Sequence, residues 1–436
     1  MTLQVSSVAV LGGGTMGSGI AAASAAAGCK VLLLDVDAAA AAKALERALA
    51  QLQPDELDAA RPLIETGTFA ELARIADYDW ICEAVIEDVN TKRELFARLE
   101  PLRREGSVVS TNTSGIPLRD VSEGAPARLR RDIVVTHFFN PVRVMRLLEI
   151  VPGADTRPEV VEALTAFCRD RLGKGVVHAK DTVNFIGNRI GCFWMLSGLH
   201  KAKPYLAEGL SMEAIDGLMS APVGLPSTGF YGLIDLIGLD VMHFVGKNLA
   251  VNLPAGDVGR AYTAFPAVEQ AMFDRGQLGR KTGGGFYRVR KTEDGGKIKE
   301  VFDLASQQWR TATSPALAPE HTQAASLLFA DDAAGRFAWD LMGGTLLYAA
   351  DLVPEIADDI VNVDRAMRWG FAWKKGPFEL LDAVGPARVI ARLESEGRPL
   401  PRMLAVLKQA GADSFYGDGG ASFLGTDGKF HPMPAE

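Results

Sequence analysis

The alternation of short apolar runs with helix-like segments restricts the fold more than any other feature of this sequence. "SVAVLGGG" is followed by "TMGSGIAAASAAAG", and "KVLLLDVD" by an alanine-rich stretch that ends near Leu52. The pattern continues through "WICEAVIE", "TKRELFARLEPL", "SVVSTNTS" and "DIVVTHFF". Strands separated by helices of this length predict βαβ units and a mostly parallel, doubly wound sheet. We expect this α/β domain to occupy residues 1–180.

From about Asp181 the strand-like runs disappear, and the helical sequence that follows contains a weak internal repeat. "AIDGLMSAPVGLPSTGFYGLIDLIG" (214–238) resembles "NVDRAMRWGFAWKKGPFELLDAVG" (362–385). Asp216 and Asp364 open the two copies, and Gly229, Asp235 and Gly238 in the first copy repeat the spacing of Gly376, Asp382 and Gly385 in the second. Such repetition predicts one supersecondary unit that is duplicated to bury a shared face.

These patterns predict an α/β plus all-α protein, in which two related α-helical domains follow the doubly wound domain. The expected boundaries are 181–290 for the first helical domain, 291–315 for a hairpin-like linker with an Asp-Gly-Gly turn, 316–415 for the second copy and 416–436 for a tail. The tail is rich in glycine, which suits a linker or a truncated hairpin.

Composition and charge exclude several classes of protein. The 436 residues are 48% hydrophobic and carry a net charge of -8, as in a soluble chain of two or three domains. Without a basic stripe or a long apolar run, we expect neither nucleic-acid binding nor membrane insertion. The N-terminal residues enter a strand-like run directly, without a leader-like segment. Because the four cysteines show no CxxC spacing, we expect a reduced, cytoplasmic protein without a metal site.

The glycine-rich turn after the first strand-like run has the spacing of a dinucleotide site, Gly12-x-Gly14-x-x-Gly17. The first glycine permits a tight turn, the second lets the backbone approach a pyrophosphate, and the third permits close packing of the helix. The unpaired N–H groups at the helix N-terminus then face the phosphates. Thr15 and Met16 lie in the same turn and are expected to contact the nucleotide.

Asp35 strengthens this prediction, because a glycine-rich turn alone is weak evidence. It ends the second strand-like run, 23 residues after Gly12. A carboxylate at this place accepts hydrogen bonds from the ribose hydroxyls and repels a 2′-phosphate, which favours NAD over NADP. The sequence therefore predicts a Rossmann-type, NAD-binding domain.

The stretch "THFFNPVRVMRLLEIV" places two titratable residues in otherwise apolar, strand-like runs. His137 lies six residues before Arg143 and Glu149 six residues after it, so in a hairpin the two would face each other. A carboxylate beside a histidine fixes its tautomer and makes it a better base, as the oxidation of an alcohol requires. A buried pair that only satisfies two polar groups explains these residues equally well.

Six segments together resemble the L-3-hydroxyacyl-CoA dehydrogenase family over roughly residues 5 to 290. They are "AVLGGGTMGSGIA", "EAVIEDVNTKRELF", "STNTSGIPL", "HFFNPVRVMRLLEIV", "DTVNFIGNRI" and "GRKTGGGFY". The resemblance implies that His137 is the catalytic base, that Glu149 pairs with it, and that Ser114 and Asn188 bind the substrate's oxygens. It also implies contacts with the nicotinamide nucleotide at Glu87, Lys92, Asn140 and Lys281.

The implied reaction is the NAD-dependent oxidation of an L-3-hydroxyacyl-CoA thioester to a 3-ketoacyl-CoA in fatty-acid β-oxidation. Each of these residues also has a structural interpretation. Ser114 fits a turn and Asn188 a helix cap or core amide. Lys92 with Glu87 fits a solvated pair at a helix start, and Lys281 fits a loop support. The alternatives for the whole chain are an NAD-dependent dehydrogenase of a free hydroxyacid or sugar acid, and a non-catalytic NAD-binding scaffold.

Two departures from the simplest family pattern affect the expected partners. The stretch "LAQLQPDELDAARPLIE", where relatives carry lysines for coenzyme A, is acidic, so the coenzyme A handle has no predicted position. The second helical copy resembles that of multifunctional β-oxidation enzymes, and we expect it to replace a dimer partner within a monomer. That resemblance also suggests a fused or associated enoyl-CoA hydratase.

Overall fold

The computed structural model describes residues 4–436, which form two compact units. The first unit runs to Ile186 and also includes Glu355–Asp358 and Ala435–Glu436. The second comprises Gly187–Pro354 and Asp359–Pro434. Its beginning lies six residues after the predicted boundary, and it contains both helical copies.

The first unit is an eight-stranded sheet flanked by helices, with strand order β3-β2-β1-β4-β5-β6-β7-β8. Its strands are β1 (Ser7–Leu11), β2 (Lys30–Asp35), β3 (Ile64–Thr68), β4 (Trp80–Glu83), β5 (Val108–Thr111), β6 (Ile133–Phe138), β7 (Leu147–Pro152) and β8 (Gly175–His178). Its helices are α1 (Thr15–Ala26), α2 (Ala38–Leu49), α3 (Pro54–Ala60), α4 (Val89–Leu99), α5 (Leu118–Val121), α6 (Ala127–Asp132) and α7 (Pro158–Asp170).

Strands β1 to β6 are parallel, and their order reverses between β1 and β4, as in a doubly wound sheet. Central strands of such a sheet are covered on both faces, which explains why "SVAVL" and "WICE" are buried throughout. The predicted Rossmann-type fold is confirmed. Because parallel strands end at a common edge, the glycine-rich turn after β1 and the residues that end β4, β5 and β6 share one side of the sheet.

Strand β7 returns antiparallel to β6, and its register settles the hairpin prediction. His137 lies directly opposite Glu149. A turn around Pro141 and Val144 connects the two strands. The predicted cross-strand pairing of the imidazole and the carboxylate is therefore confirmed, while their chemical roles remain a prediction.

The second unit is mainly helical and ends each copy with a small antiparallel sheet. Its helices are α8 (Gly187–Ala207), α9 (Met212–Leu218), α10 (Gly229–Ile237), α11 (Leu239–Asn252), α12 (Ala267–Asp274), α13 (Ala324–Leu327), α14 (Ala333–Ala338), α15 (Gly344–Leu352), α16 (Ile360–Gly370), α17 (Pro377–Val384), α18 (Pro386–Ser395) and α19 (Arg402–Ala410). Its strands are β9 (Tyr287–Lys291), β10 (Lys297–Asp303), β11 (Gln308–Thr311), β12 (Tyr416–Gly417), β13 (Ser422–Leu424) and β14 (Phe430–Pro432).

The repeated aspartates and glycines of the sequence form the same contacts in both copies. Asp216 accepts hydrogen bonds from the backbone of Tyr231 and from the Tyr287 side chain. In the second copy Asp364 accepts them from the backbone of Phe378 and from the Tyr416 hydroxyl.

Two further contacts extend this correspondence. Asp235 accepts hydrogen bonds from the N–H groups of Phe286 and Tyr287, and Asp382 from those of Phe415 and Tyr416. A methyl group at the first repeated glycine of either copy would lie about 2.5 Å from the aspartate that begins that copy, 2.5 Å at Gly229 and 2.4 Å at Gly376. Only glycine fits there.

The two copies pack against each other within the second unit. Phe193 stacks on Tyr348 with ring centroids 4.0 Å apart, and Arg189 donates to the Tyr348 hydroxyl and to Asp257. The Asp-Gly-Gly hairpin is present, but a third strand follows it. The tail, for which the sequence suited a linker or a truncated hairpin, forms a three-stranded sheet of β12, β13 and β14, in which β13 and β14 pair antiparallel. Strands of two or three residues are too short for a periodic sequence signal.

Among residues 4–436, no single helix combines the length and apolar character needed to cross a membrane. Helices α10 and α11 reach that apolar character only as a pair, and they are bent by 89° relative to each other.

Glu269, in the first turn of α12, makes the stability of the second unit depend on pH. It is 4% exposed, and burial raises the pKa of its carboxyl group from 4.5 to about 7. Ionisation above that pH opposes folding, so its stabilising effect is present below pH 4.5 and lost as the pH rises through 7. We expect Glu269→Gln to match the wild type near pH 4.5 and to raise the free energy of unfolding by about 2–3 kcal/mol at pH 8.

Urea unfolding at both pH values tests this expectation, with the exposed Glu320→Gln as the matched control. Other buried carboxyl groups titrate in both proteins, so the difference between them isolates Glu269. Parallel pH profiles for Glu269→Gln and the wild type would contradict it.

Candidate active site

The three glycines of the turn after β1 meet three different steric demands. Gly12 has a φ of 103°, and a methyl group there would lie 2.6 Å from the carbonyl oxygen of Ala84. A methyl group at Gly17 would lie 1.8 Å from the carbonyl oxygen of Gly12, so only glycine lets α1 pack this closely. Around Gly14, which precedes α1, nothing lies within 4 Å of the added position. The turn therefore fits a pyrophosphate beside the helix N-terminus.

Asp35 and the loop around Gly13 define the adenosine end of this site. One carboxylate oxygen of Asp35 accepts a hydrogen bond from the Gly13 N–H at 3.0 Å, and the other from the Val36 N–H at 2.7 Å. Arg47 donates to the Gly13 carbonyl oxygen at 3.1 Å. The carboxylate is thus held at the end of β2 and remains partly exposed, where it can accept ribose hydroxyls. Thr15 and Met16, predicted in the turn, begin α1 directly after it, and Thr15 is exposed while Met16 is half-buried.

Asp35→Ala is expected to weaken NAD binding by roughly 10- to 100-fold, because two hydrogen bonds to a charged acceptor are lost. The preference for NAD over NADP should fall, since the repulsion of the 2′-phosphate disappears as well. Fluorescence titration with NADH and NADPH measures both effects. The exposed Asp58→Asn is the control for net charge, and an unchanged preference in Asp35→Ala would contradict the assignment.

His137 and Glu149 form a short, buried hydrogen bond. His137 Nδ1 lies 2.6 Å from a Glu149 carboxylate oxygen, and the two residues are 3% and 0% exposed. The other carboxylate oxygen accepts a hydrogen bond from the Ile186 N–H at 3.0 Å. The ring centroids of Phe139 and Phe185 lie 4.5 and 5.7 Å from the centroid of the imidazole ring, and the two rings cover it.

This arrangement assigns the imidazole tautomer. Because the Glu149 carboxylate can only accept, Nδ1 of His137 carries the proton and donates it. Nε2 then keeps its lone pair, and within residues 4–436 it makes no hydrogen bond. The pair can thus accept a proton at Nε2 and stabilise the resulting cation.

The sequence did not predict a role for Glu83, which the structure places at the centre of a buried ionic cluster. Glu83 ends β4 and is 0% exposed. It accepts hydrogen bonds from Lys92 Nζ at 2.8 Å, the Val85 N–H at 2.7 Å and the Thr111 hydroxyl at 2.5 Å. The signal that could have identified it is a carboxylate at the end of an otherwise apolar strand beside β1.

Lys92 links this cluster to Glu87. Lys92 is 1% exposed, and its Nζ lies 3.3 Å from a Glu87 carboxylate oxygen. A solvated pair at a helix start, the structural alternative for these residues, is therefore wrong. The other Glu87 oxygen accepts hydrogen bonds from the Thr113 hydroxyl at 2.6 Å and the Ser114 N–H at 2.8 Å. The cluster thus holds the loop that carries Ser114.

The loops after β5 and β6 bring further predicted residues to the same edge. Asn112 accepts a hydrogen bond from the Phe138 N–H at 3.0 Å, which ties the loop after β5 to the strand that carries His137. Ser114 is exposed just beyond it. Asn140 is exposed in the turn between β6 and β7. The structure therefore gathers His137, Glu149, Ser114, Glu87, Lys92 and Asn140 around the ends of β4, β5 and β6.

Comparison with known families decides which kind of site this is. Residues 7–182 match the profile of the 3-hydroxyacyl-CoA dehydrogenase NAD binding domain, and residues 185–289 match that of the 3-hydroxyacyl-CoA dehydrogenase C-terminal domain. The chain belongs to the 3-hydroxyacyl-CoA dehydrogenase family. Its cofactor is NAD, and the glycine-rich turn and Asp35 fit that nucleotide.

Similar proteins extend this family assignment over most of the chain. A probable 3-hydroxyacyl-CoA dehydrogenase of Bacillus subtilis is 35% identical over 95% of this chain and 56% of its own length. A putative fatty acid oxidation complex trifunctional enzyme of Rickettsia felis is 34% identical over 93% of this chain and 57% of its own. The chain thus spans little more than half the length of these relatives.

Among solved structures, the 3-hydroxybutyryl-CoA dehydrogenase of Escherichia coli K12 is 25% identical, with a TM-score of 0.72. The match covers 93% of this chain and 98% of that one, so the similarity extends into the second helical copy.

Two predicted site residues of this dehydrogenase family member lie in the second unit. Asn188 is the second residue of α8 and follows Ile186, the donor to Glu149, by two positions. Lys281 is half-exposed and donates to Asp240 at 2.8 Å, which corresponds to the structural interpretation of this residue. Contacts of either residue with cofactor or substrate remain predictions.

Proposed function

We propose that this protein catalyses the NAD-dependent oxidation of L-3-hydroxyacyl-CoA thioesters to 3-ketoacyl-CoA in fatty-acid β-oxidation. The single observation that carries the proposal is the buried hydrogen bond between His137 and Glu149 at the sheet edge where the dinucleotide turn lies. A base beside a hydride acceptor is what the oxidation of a secondary alcohol requires.

In the proposed reaction, His137 Nε2 removes the proton of the 3-hydroxyl group. NAD, which the glycine-rich turn and Asp35 would hold, would supply the acceptor for the hydride that leaves C3. Glu149 stabilises the imidazolium ion that forms, and its bond to the Ile186 N–H keeps it oriented. Ser114 and Asn188 hold the 3-oxygen and help to orient the thioester. The reverse reaction uses the same groups.

Excluding water from the dyad supports this chemistry. Phe138, Leu147 and Leu148 are 2%, 0% and 0% exposed, so the strands that carry His137 and Glu149 are shielded from water. Electrostatic interactions in such surroundings are stronger than in water. The Glu149 carboxylate therefore stabilises a positive charge on His137 more than a solvated one would.

A steady-state assay tests the substrate class and the cofactor together. We expect oxidation of NADH with acetoacetyl-CoA and with a long-chain 3-ketoacyl-CoA, and much slower oxidation of NADPH. Turnover of free acetoacetate but not of its thioester would favour the alternative dehydrogenase of a free hydroxyacid. Absence of turnover with all of them, with NADH bound, would favour a non-catalytic scaffold.

We further propose that the protein is a cytoplasmic monomer whose second helical copy replaces a dimer partner. The stacking of Phe193 on Tyr348 and the matched Asp216 and Asp364 contacts support an internal pseudo-dimer. Its four cysteines are free and buried, as suits a reducing compartment. The name of the trifunctional relative supports fused activities, and we propose that a fused or associated enoyl-CoA hydratase is one of them. Sedimentation showing a tight dimer would contradict the monomer.

A further inference from the structure

The Glu83–Lys92–Glu87 cluster lies beside the half of the site that must hold the nicotinamide ring. Glu83 pairs with Leu11, the residue just before the glycine-rich turn. Asp35, on the other side of β1, marks the adenosine half. A dinucleotide crosses the sheet edge where the strand order reverses, so its nicotinamide lies on the β4 to β6 side.

The contacts of the cluster fix its charge. The hydrogen-bond partners of Glu83 within residues 4–436 are all donors, namely Lys92 Nζ, the Val85 N–H and the Thr111 hydroxyl. Those of Glu87 are donors as well, and its second oxygen faces Lys92. Lys92 and the backbone N–H groups can only donate, and both hydroxyl groups can donate as well, so we take both carboxyl groups as ionised. Two carboxylates and one ammonium group leave one net negative charge, largely shielded from water.

A fixed negative charge acts differently on the two forms of the cofactor. The oxidised nicotinamide ring carries a positive charge and the reduced ring is neutral. A nearby anion therefore stabilises bound NAD⁺ and leaves bound NADH almost unaffected. Buried charges are poorly screened by salt, so this effect persists at physiological ionic strength.

We propose that the Glu83–Lys92–Glu87 cluster shifts the relative affinity of the site towards the oxidised cofactor through its single net negative charge. Glu83 contributes as an electrostatic and positioning residue rather than by contact with substrate. The inference rests on the NAD site alone and not on the proposed substrate. Binding measured without any acyl-CoA therefore separates its failure from failure of the proposed function.

Glu83→Gln tests the proposal because the amide can keep the hydrogen bonds of the carboxylate. Its oxygen can still accept from Lys92 and Val85, while its NH2 group can donate to the Thr111 hydroxyl after that hydroxyl rotates. The variant thus neutralises the cluster with little change in shape. We expect the ratio of the dissociation constants, Kd(NAD⁺) over Kd(NADH), to rise roughly tenfold, the order of magnitude for losing one nearby charge at an effective dielectric constant of about 20. Fluorescence and calorimetric titrations supply the two constants.

The double variant E83Q/K92M restores the net charge, since only the Glu87 carboxylate remains. Its ratio of dissociation constants should return towards the wild-type value, although its packing is disturbed further. A purely structural role of the cluster would not produce this return. Asp132→Asn is the matched control, because it removes a carboxylate that is 4% exposed at the opposite end of β6. Its ratio should equal that of the wild type.

Two results would overturn the proposal. One is a Glu83→Gln variant whose ratio of dissociation constants equals that of the wild type, either because both forms bind more weakly by the same factor or because neither affinity changes. The other is a ratio that does not return in E83Q/K92M. If Glu83→Gln does not fold, Glu87→Gln removes the same charge from a side chain that is 22% exposed, and the same rise in the ratio is expected.

Discussion

Replacing His137 with glutamine is expected to lower kcat by about 10³-fold, the contribution typical of a positioned general base. Glutamine approximates the size of imidazole and can still donate to Glu149, but it cannot accept the hydroxyl proton. The dissociation constant of NADH should change little, because the nucleotide turn and Asp35 are on other strands. Steady-state rates with acetoacetyl-CoA and NADH titrations measure the two quantities.

The control for this variant is a substitution that keeps the imidazole but disturbs its surroundings. Phe139→Leu removes the ring that lies 4.5 Å from the imidazole ring and should cost much less activity. Turnover that is unchanged in His137→Gln would remove this residue from the mechanism. A matching loss of cofactor binding would instead indicate a structural role for the dyad.

Glu149→Gln is expected to reduce kcat by a similar factor, about 10³-fold, although it leaves the histidine in place. The Ile186 N–H needs an acceptor, so the amide oxygen of the glutamine turns towards it. The NH2 group then faces His137 Nδ1, which must become the acceptor. The imidazole proton moves to Nε2, and the nitrogen that should accept the substrate proton is already protonated.

The thermal midpoint and a matched control distinguish this tautomer effect from misfolding. The thermal midpoint of Glu149→Gln should stay close to that of the wild type, because the amide keeps both hydrogen bonds. The exposed Glu159→Gln should retain full activity. If Glu149→Gln has wild-type kcat, the carboxylate only fills a buried polar position, which was the equally valid structural reading of the sequence.

Most of the fold prediction came from patterns among residues that are close in the sequence. The strand–turn–helix spacing around Gly12 and the alternation of apolar runs and helices depend on local backbone geometry, and the structure confirms them. The pairing of His137 with Glu149 was predictable for the same reason, because a short hairpin fixes the register of its two strands. The sequence showed the spacing of the repeated aspartates, but it did not show the hydrogen-bond partners that they have in common.

What the sequence missed depends on contacts between distant residues. Glu83, Thr111 and Lys92 lie on three different elements, and no spacing rule links them. For Lys92 the resemblance implied a contact with the nucleotide, with a solvated pair at a helix start as the alternative, and neither predicted that the structure buries it to 1% exposure. The short strands of the tail gain their order from packing and from the Asp382 contacts rather than from their own periodicity.

The sequence by itself determined the dinucleotide turn, the parallel sheet and the facing imidazole and carboxylate, since each follows from short-range geometry. Only the tertiary structure decided that Lys92 is buried between Glu83 and Glu87 in one ionic cluster. It also showed that the two helical copies share one unit. The burial of a side chain and the net charge around it depend on which helices and strands contact each other. Such contacts between distant elements produce no periodic pattern in the sequence.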